Sequence, residues 1–197
     1  MRIVKIILLV IVALIVLSAV AGLFMSSKFS MERSTLINAD QKVIFDQINN
    51  LKNWEQWSPW QKMDPETKIT YDGPEAGVGA SYSWTSSKNG DGTLTISESI
   101  PYESVTTDMD FKENGKGVAG FKIAKEGNGN KLIWWFETDL ESNPFKKFFF
   151  GMMGESIMSK PFDQGLSDIK KIAESMPSAA PEIIPAVPDT LSADTTK

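Results

Sequence analysis

The 197-residue chain contains no histidine and no cysteine. Those two absences remove Ser-His-Asp and Cys-His triads, a thiolate nucleophile, and zinc sites built from Cys and His. Disulfides are impossible, so the redox compartment leaves no mark on the sequence. A basic excess is missing too: 20 Lys and Arg stand against 25 Asp and Glu, a net charge of −5. That balance argues against general nucleic-acid binding. No internal repeat is visible, no cofactor is expected, and nothing sets an oligomeric state. What remains is 42% hydrophobic and 23% charged, an ordinary globular composition.

Charge is also absent from residues 6–25, where Ser18 and Gly22 are the only interruptions of an apolar run. Twenty residues at about 1.5 Å each span ~30 Å, a bilayer core. Arg2 and Lys5 precede the run, so residues 1–5 are expected in the cytoplasm and everything after Met25 outside it. The competing reading is a cleaved signal peptide, since Ala19-Val20-Ala21 matches a cleavage site. Against it, the run continues through Leu23, Phe24 and Met25, past the ~7–15 residues of a typical signal core. Residues 29–176 suit one domain with a real core. Residues 177–197 are rich in Pro, Ala, Ser and Thr, and are expected to be a disordered tail.

Within the domain, residues 29–37 read as a strand. Asn38-Ala39-Asp40 then caps a helix over 41–50, and a second short helix over 51–57 is stopped by Ser58-Pro59. Six strands follow, over 68–71, 80–86, 93–100, 104–111, 118–125 and 131–139, divided by turn signals such as Asn89-Gly90-Asp91-Gly92. Apolar and polar residues alternate along them, as in an antiparallel sheet with one wet face. Residues 144–150 are helical in style. Phe162, Leu166, Ile169, Ile172 and Met176 then form the stripe of a long amphipathic helix, with Pro161 in its first turn or kinking a longer one. The expected fold class is α+β: an antiparallel sheet wrapped around a long C-terminal helix, preceded by one transmembrane helix.

The inward parity of the strands gathers Tyr82, Trp84, Leu94, Ile96, Met109, Phe111, Phe121, Ile123, Trp134 and Phe136. Glu98 shares that parity, so it either takes a partner and a raised pKa inside, or reaches solvent at the strand end. Trp54, Trp57 and Trp60 stand three residues apart. They are either an aromatic wall at a cavity mouth or a cluster sealing the short helices to the sheet. Phe148-Phe149-Phe150 and Met152-Met153, beside Lys146 and Lys147, are either core or a surface touching the bilayer. One helix stripe is narrow cover for so wide an apolar face. An apolar space is therefore expected beneath it, open near Trp57 and Trp60, with Glu98 the nearest interior carboxylate.

Several motifs tie this order to a known group. They are Arg33-Ser34-Thr35-Leu36-Ile37-Asn38-Ala39, Asn53-Trp54-Glu55-Gln56-Trp57-Ser58-Pro59-Trp60 with Asp64-Pro65, Tyr71-Asp72-Gly73-Pro74, Gly77-Val78-Gly79-Ala80, and Phe162, Gly165, Leu166 and Lys170 on the last helix. With them, the chain resembles the START-like (SRPBCC, helix-grip) superfamily. It is most similar to the bacterial polyketide cyclase/dehydrase and lipid-transport type that carries an N-terminal membrane helix. The resemblance implies an apolar cavity between sheet and terminal helix. The expected function is a membrane-anchored binding module for a lipid or other apolar small molecule. Its lining is expected to include Trp57, Trp60, Tyr82, Trp84, Leu94, Ile96, Glu98, Met109, Phe111, Trp134, Phe136 and Leu166. The rivals are a cyclase-type enzyme using carboxylate or tyrosine acid-base groups, and a protein-interaction domain whose core is filled.

Overall fold

The computed structural model describes residues 2–88 and 90–176; the expected tail, and Asn89 of the expected 89–92 turn, lie outside the described residues. An apolar helix α1 (Arg2–Leu23) leads into β1 (Lys28–Ile37). Then come α2 (Gln41–Asn49), a single 3-10 turn, and the short helices α3 (Trp54–Trp57) and α4 (Pro59–Met63). Six strands follow: β2 (Lys68–Asp72), β3 (Ser81–Thr85), β4 (Gly92–Ile100), β5 (Ser104–Asp110), β6 (Lys116–Glu126) and β7 (Gly129–Asp139). The chain closes with α5 (Pro144–Phe149), a wider π-helical stretch Phe150–Gly154, and α6 (Glu155–Ser175).

Local chemistry explains these boundaries. Asp40 caps α2, its carboxylate accepting from the Lys42 N–H at 2.8 Å. Pro59 does not only stop a helix, as the sequence suggests. It stands at the first position of α4, where its missing N–H costs nothing. Pro161 lies inside the continuous α6, so the longer-helix alternative is the observed one.

The sheet is a single antiparallel surface in the order β1-β7-β6-β5-β4-β3-β2. Its register stacks inward side chains in rows. One row runs Ile96, Thr107, Ala119, Phe136 and Met31; the next runs Val105, Phe121, Trp134 and Arg33. The face of α6 carrying Phe162, Leu166 and Ile169, all buried, lies across these rows. Trp134 stacks between Phe121 and Phe162, with ring centroids 5.0 and 4.1 Å away, and joins sheet to helix. At its far end α6 is clasped to β1: Lys170 Nζ donates to the Leu36 carbonyl at 2.7 Å, and the Asn38 N–H donates to Glu174 at 2.8 Å. The result is the helix-grip arrangement that the alternating strands and terminal stripe imply.

Glu98 is a correction. A β-bulge between Ile96 and Glu98 inserts one residue into β4. Such an insertion reverses which parity faces the core. Ser99 turns inward and donates to Asn49 Oδ1 at 2.7 Å. Glu98 and Ile100 are exposed. Glu98 accepts from the Thr106 hydroxyl at 3.4 Å and is not an interior carboxylate.

Candidate apolar cleft

Between the sheet and α6, toward the α5 end, the packing leaves a cleft of about 470 Å³. The void has a visible origin in the strands. Tyr82, Leu94, Met109 and Gly117 face one another across β3, β4, β5 and β6, and the row continues through Thr138 of β7 with a glycine in its middle. Ala119 occupies the next inward position of β6. Gly117 leaves room for the Phe136 ring, which a Cβ there would meet at 2.7 Å. Gly92 does the same for Trp84, whose indole lies directly over it. The two glycines thus let the Phe136 and Trp84 rings lie down against the sheet, and the small Ala119 leaves space beside them.

Aromatic edges continue around the rim. Tyr71, Tyr82, Trp84, Phe111 and Phe136 contact in sequence, with neighbouring centroids 5.9–6.4 Å apart. Trp54, Trp60 and Ile69 form the wall from the short helices and β2; Leu140, Phe150, Met158 and Phe162 form the wall from the α5–α6 side. Gln61, Thr67, Asn114, Thr138, Asp139 and Lys146 supply the polar lining, and Asn114 and Asp139 are exposed at the mouth. Lys146 Nζ reaches the Asn114 carbonyl at 3.3 Å.

Of the twelve residues expected to line such a space, eight do so: Trp60, Tyr82, Trp84, Leu94, Met109, Phe111, Trp134 and Phe136. Trp57, Ile96 and Leu166 belong to the packed core beside the cleft, and Glu98 lies outside on the surface. The two readings of the tryptophan triplet divide between its members. Trp57 is fully buried, edge-on to Phe121 and Trp134. Its indole N–H donates to Gln47 O, and that of Trp54 donates to Ile48 O, both at 3.1 Å. These are last-turn carbonyls of α2, which the helix itself leaves unsatisfied. Trp54 and Trp57 therefore seal, while Trp60 and one side of Trp54 face the cleft.

Two groups escape a reading by parity. Asp64 is 1% exposed and holds the 64–67 turn to the β3 end: Ser86 Oγ donates to it at 2.6 Å, and Lys88 Nζ lies 3.8 Å away. The Ser86 hydrogen bond outweighs the opposing effect of burial, and with the Glu66 N–H and Lys88 it keeps the carboxyl below its ordinary pKa. Asp64 thereby fixes the wall that carries Thr67 and Ile69. The 58–65 motif marks it in the sequence, but not its burial. Phe150 and Met158 follow no strand parity, and only the three-dimensional path of the α5–α6 segment brings them to the cleft.

Tyr82 is the phenol of the lining. Burial raises its pKa, so it remains a neutral donor across the physiological range. Tyr71 is also raised, by burial and by Glu55, to which its hydroxyl donates at 2.7 Å. The ionisable lining groups among the described residues are Tyr82, Asp139 and Lys146. No group of three or more His, Cys, Asp or Glu side chains among the described residues could hold a metal ion.

The family described as polyketide cyclase / dehydrase and lipid transport matches residues 28–174. No curated protein matches the chain. Solved structures share the fold at low identity. A protein of unknown function from Staphylococcus aureus, SA2116, aligns with TM-score 0.57 at 13% identity, over 75% of this chain and 94% of that one. Protein CV1439 from Chromobacterium violaceum gives 0.52 at 14%, over 74% and 98%. The di-domain ARO/CYC BexL from the BE-7585A biosynthetic pathway gives 0.53 at 14%, over 77% of this chain and 52% of that one.

Proposed function

The chain belongs to the polyketide cyclase / dehydrase and lipid transport family, and from that premise we propose that its domain is a membrane-anchored binding module. It holds one lipid or similar apolar molecule in the cleft between sheet and α6. The observation that carries this reading is the cleft itself: about 470 Å³, walled by aromatic rings and floored on the sheet by Leu94, Met109 and Ala119. Ligand sites of ~300–1,000 Å³ with apolar walls and few polar groups are the usual form for small-molecule binding. Tyr82 inside is suited to donate one hydrogen bond to a ligand oxygen. Lys146 and Asp139 stand where a polar head would meet water.

The anchor is α1, 22 residues long and apolar enough to cross a membrane. The same test passes a signal sequence, but the packing of α1 supports retention. Ser18, Ala19 and Ala21, which cleavage after Ala21 would remove, are partly covered, next to Gly22 packed against the Pro144 carbonyl. The basic Arg2 and Lys5 favour a cytoplasmic N-terminus and a domain on the other side. The cyclase-type reading finds no comparable support. Glu98 is outside, and the phenol of Tyr82 is held protonated rather than poised to accept a proton.

A photoreactive fatty acid added to the full chain in membranes tests the reading. Crosslinks should map to β3, β4 and β5 around Trp84, Leu94 and Met109, and an unlabelled fatty acid should compete them away. Trp84→Ala should weaken the labelling. Crosslinks confined to α1 would contradict a lipid in the cleft.

A further inference from the structure

The segment 144–157 has two apolar faces. One, with Phe150 and Met158 beyond it, lines the cleft. The other carries Phe145, Phe149, Met152, Met153 and Ile157, which are 46–66% exposed. Soluble surfaces rarely leave so many large apolar side chains together without a partner. The location of this second face identifies the partner. Along α1, only Ser18, Ala19, Ala21 and Gly22 are covered at all, and all are small. Small residues let helices approach closely where lipid surrounds them. Gly22 receives the Pro144 carbonyl, and Gly151 receives the end of Met25. The last turns of α1 and the segment 144–157 therefore form one unit. If α1 is in a bilayer, the exposed apolar face is beside the same leaflet. Lys146 and Lys147 are half-buried in the same segment, Lys28 is exposed at the start of β1, and Glu155 is the acidic residue within the segment; beside a bilayer, these cations would meet lipid phosphates.

We propose that the face formed by Phe145, Phe149, Met152, Met153 and Ile157 is bedded in the bilayer that holds α1, so that the cleft exchanges its lipid with that leaflet past the 144–157 segment. The proposal rests on the anchored-module reading and adds the route of exchange. The wider winding at Phe150–Gly154 fits a segment that must yield, since a π-helical turn gives up regular i to i−4 hydrogen bonds. Gly154 there receives the rings of Phe29 and Phe150, leaving the two faces separated by little more than backbone.

The absence of native cysteine makes the test direct. The full chain, carrying Phe149→Cys, Met152→Cys or, as a control on the exposed sheet face, Ser97→Cys, is labelled with a nitrobenzoxadiazole probe. It is then reconstituted in vesicles of phosphatidylcholine, alone or with phosphatidylglycerol. Blue-shifted emission and quenching by spin-labelled lipid at 149 and 152, with neither at 97, is the expected result. The double variant Phe149→Asp/Met152→Asp should slow transfer of a fluorescent lipid from vesicle to cleft about tenfold, the equivalent of ~1.4 kcal/mol in activation free energy. Its affinity for the same lipid in detergent should be unchanged. Probes at 149 and 152 that behave like the one at 97, in a chain that floats with the vesicles, would overturn the proposal and leave the anchored-module reading standing. A blue shift without lipid quenching would place protein, such as a second copy of the chain, on this face, and would also overturn it. A chain that does not float with the vesicles would remove the anchor and the proposal together.

Discussion

Single residues decide whether the interior is empty or full. Ala119 is the smallest side chain lining the cleft, and it does not announce itself in a sequence where attention falls on bulky side chains. Ala119→Leu should fill part of the space. Overpacking costs about 1–3 kcal/mol at a well-packed site, and less where a void can take the added atoms. The expected outcome is a clear loss of fatty-acid crosslinking with stability reduced by less than ~1 kcal/mol in denaturant titration. Glu98→Gln is the companion variant. As an exposed residue beyond the bulge, it should change stability by no more than ~0.5 kcal/mol and leave crosslinking intact. A large effect at Glu98, or none at Ala119, would contradict the placement of the cleft. Trp134, by contrast, is wall and core at once, stacked between Phe121 and Phe162, so its truncation would report on stability first.

At the scale of elements, α6 is the part on which the grip depends. Leu166 is 2% exposed on its inner face, so Leu166→Ala should cost about 2–5 kcal/mol by unfolding in denaturant. A cost under ~0.5 kcal/mol would mean that α6 does not fill the grip. A second tie joins α6 to α4: Lys62 Nζ lies 2.7 Å from Asp168 Oδ2, and Gln164 donates to the same oxygen at 2.9 Å. Burial opposes the charged carboxylate, but the hydrogen bonds from Lys62 and Gln164 and the charges of Lys62 and Lys171 prevail, and the Asp168 pKa lies below its ordinary value. A lowered folded pKa stabilises the fold fully above the unfolded value, and the gain is lost as pH falls through the folded one. Asp168→Asn should therefore lower the melting temperature at neutral pH, and the difference from the parent should close in the acid range below about pH 3.9. An unchanged difference at acid pH would assign the effect to shape rather than charge.

The elements also show what a sequence can and cannot reveal. Six strands, their inward parity and the α6 stripe follow from periodicity, because each is a local repetition imposed by one buried face. The register slip after Ile96 does not, since a bulge changes which face a residue takes without altering composition. The helix over Pro59–Met63 was concealed because proline serves equally to end one helix and to begin the next. Phe150 and Met158 reach the cleft through the path of a whole segment, which no period of two or 3.6 describes.

At the scale of the molecule, the seven-stranded sheet, the long helix and the family membership establish the architecture, while the proposed cargo depends on the apolar cleft between sheet and α6. Native mass spectrometry of the full chain, extracted from cells in mild detergent, tests that proposal most directly. The account predicts a population whose mass exceeds that of the chain by one lipid-sized molecule. That molecule should survive removal of the detergent, be lost on unfolding, and be depleted in Ala119→Leu. A chain that emerges bare under conditions where its fold is intact, and that takes up no added fatty acid, would contradict it and put the filled-core interaction domain in its place.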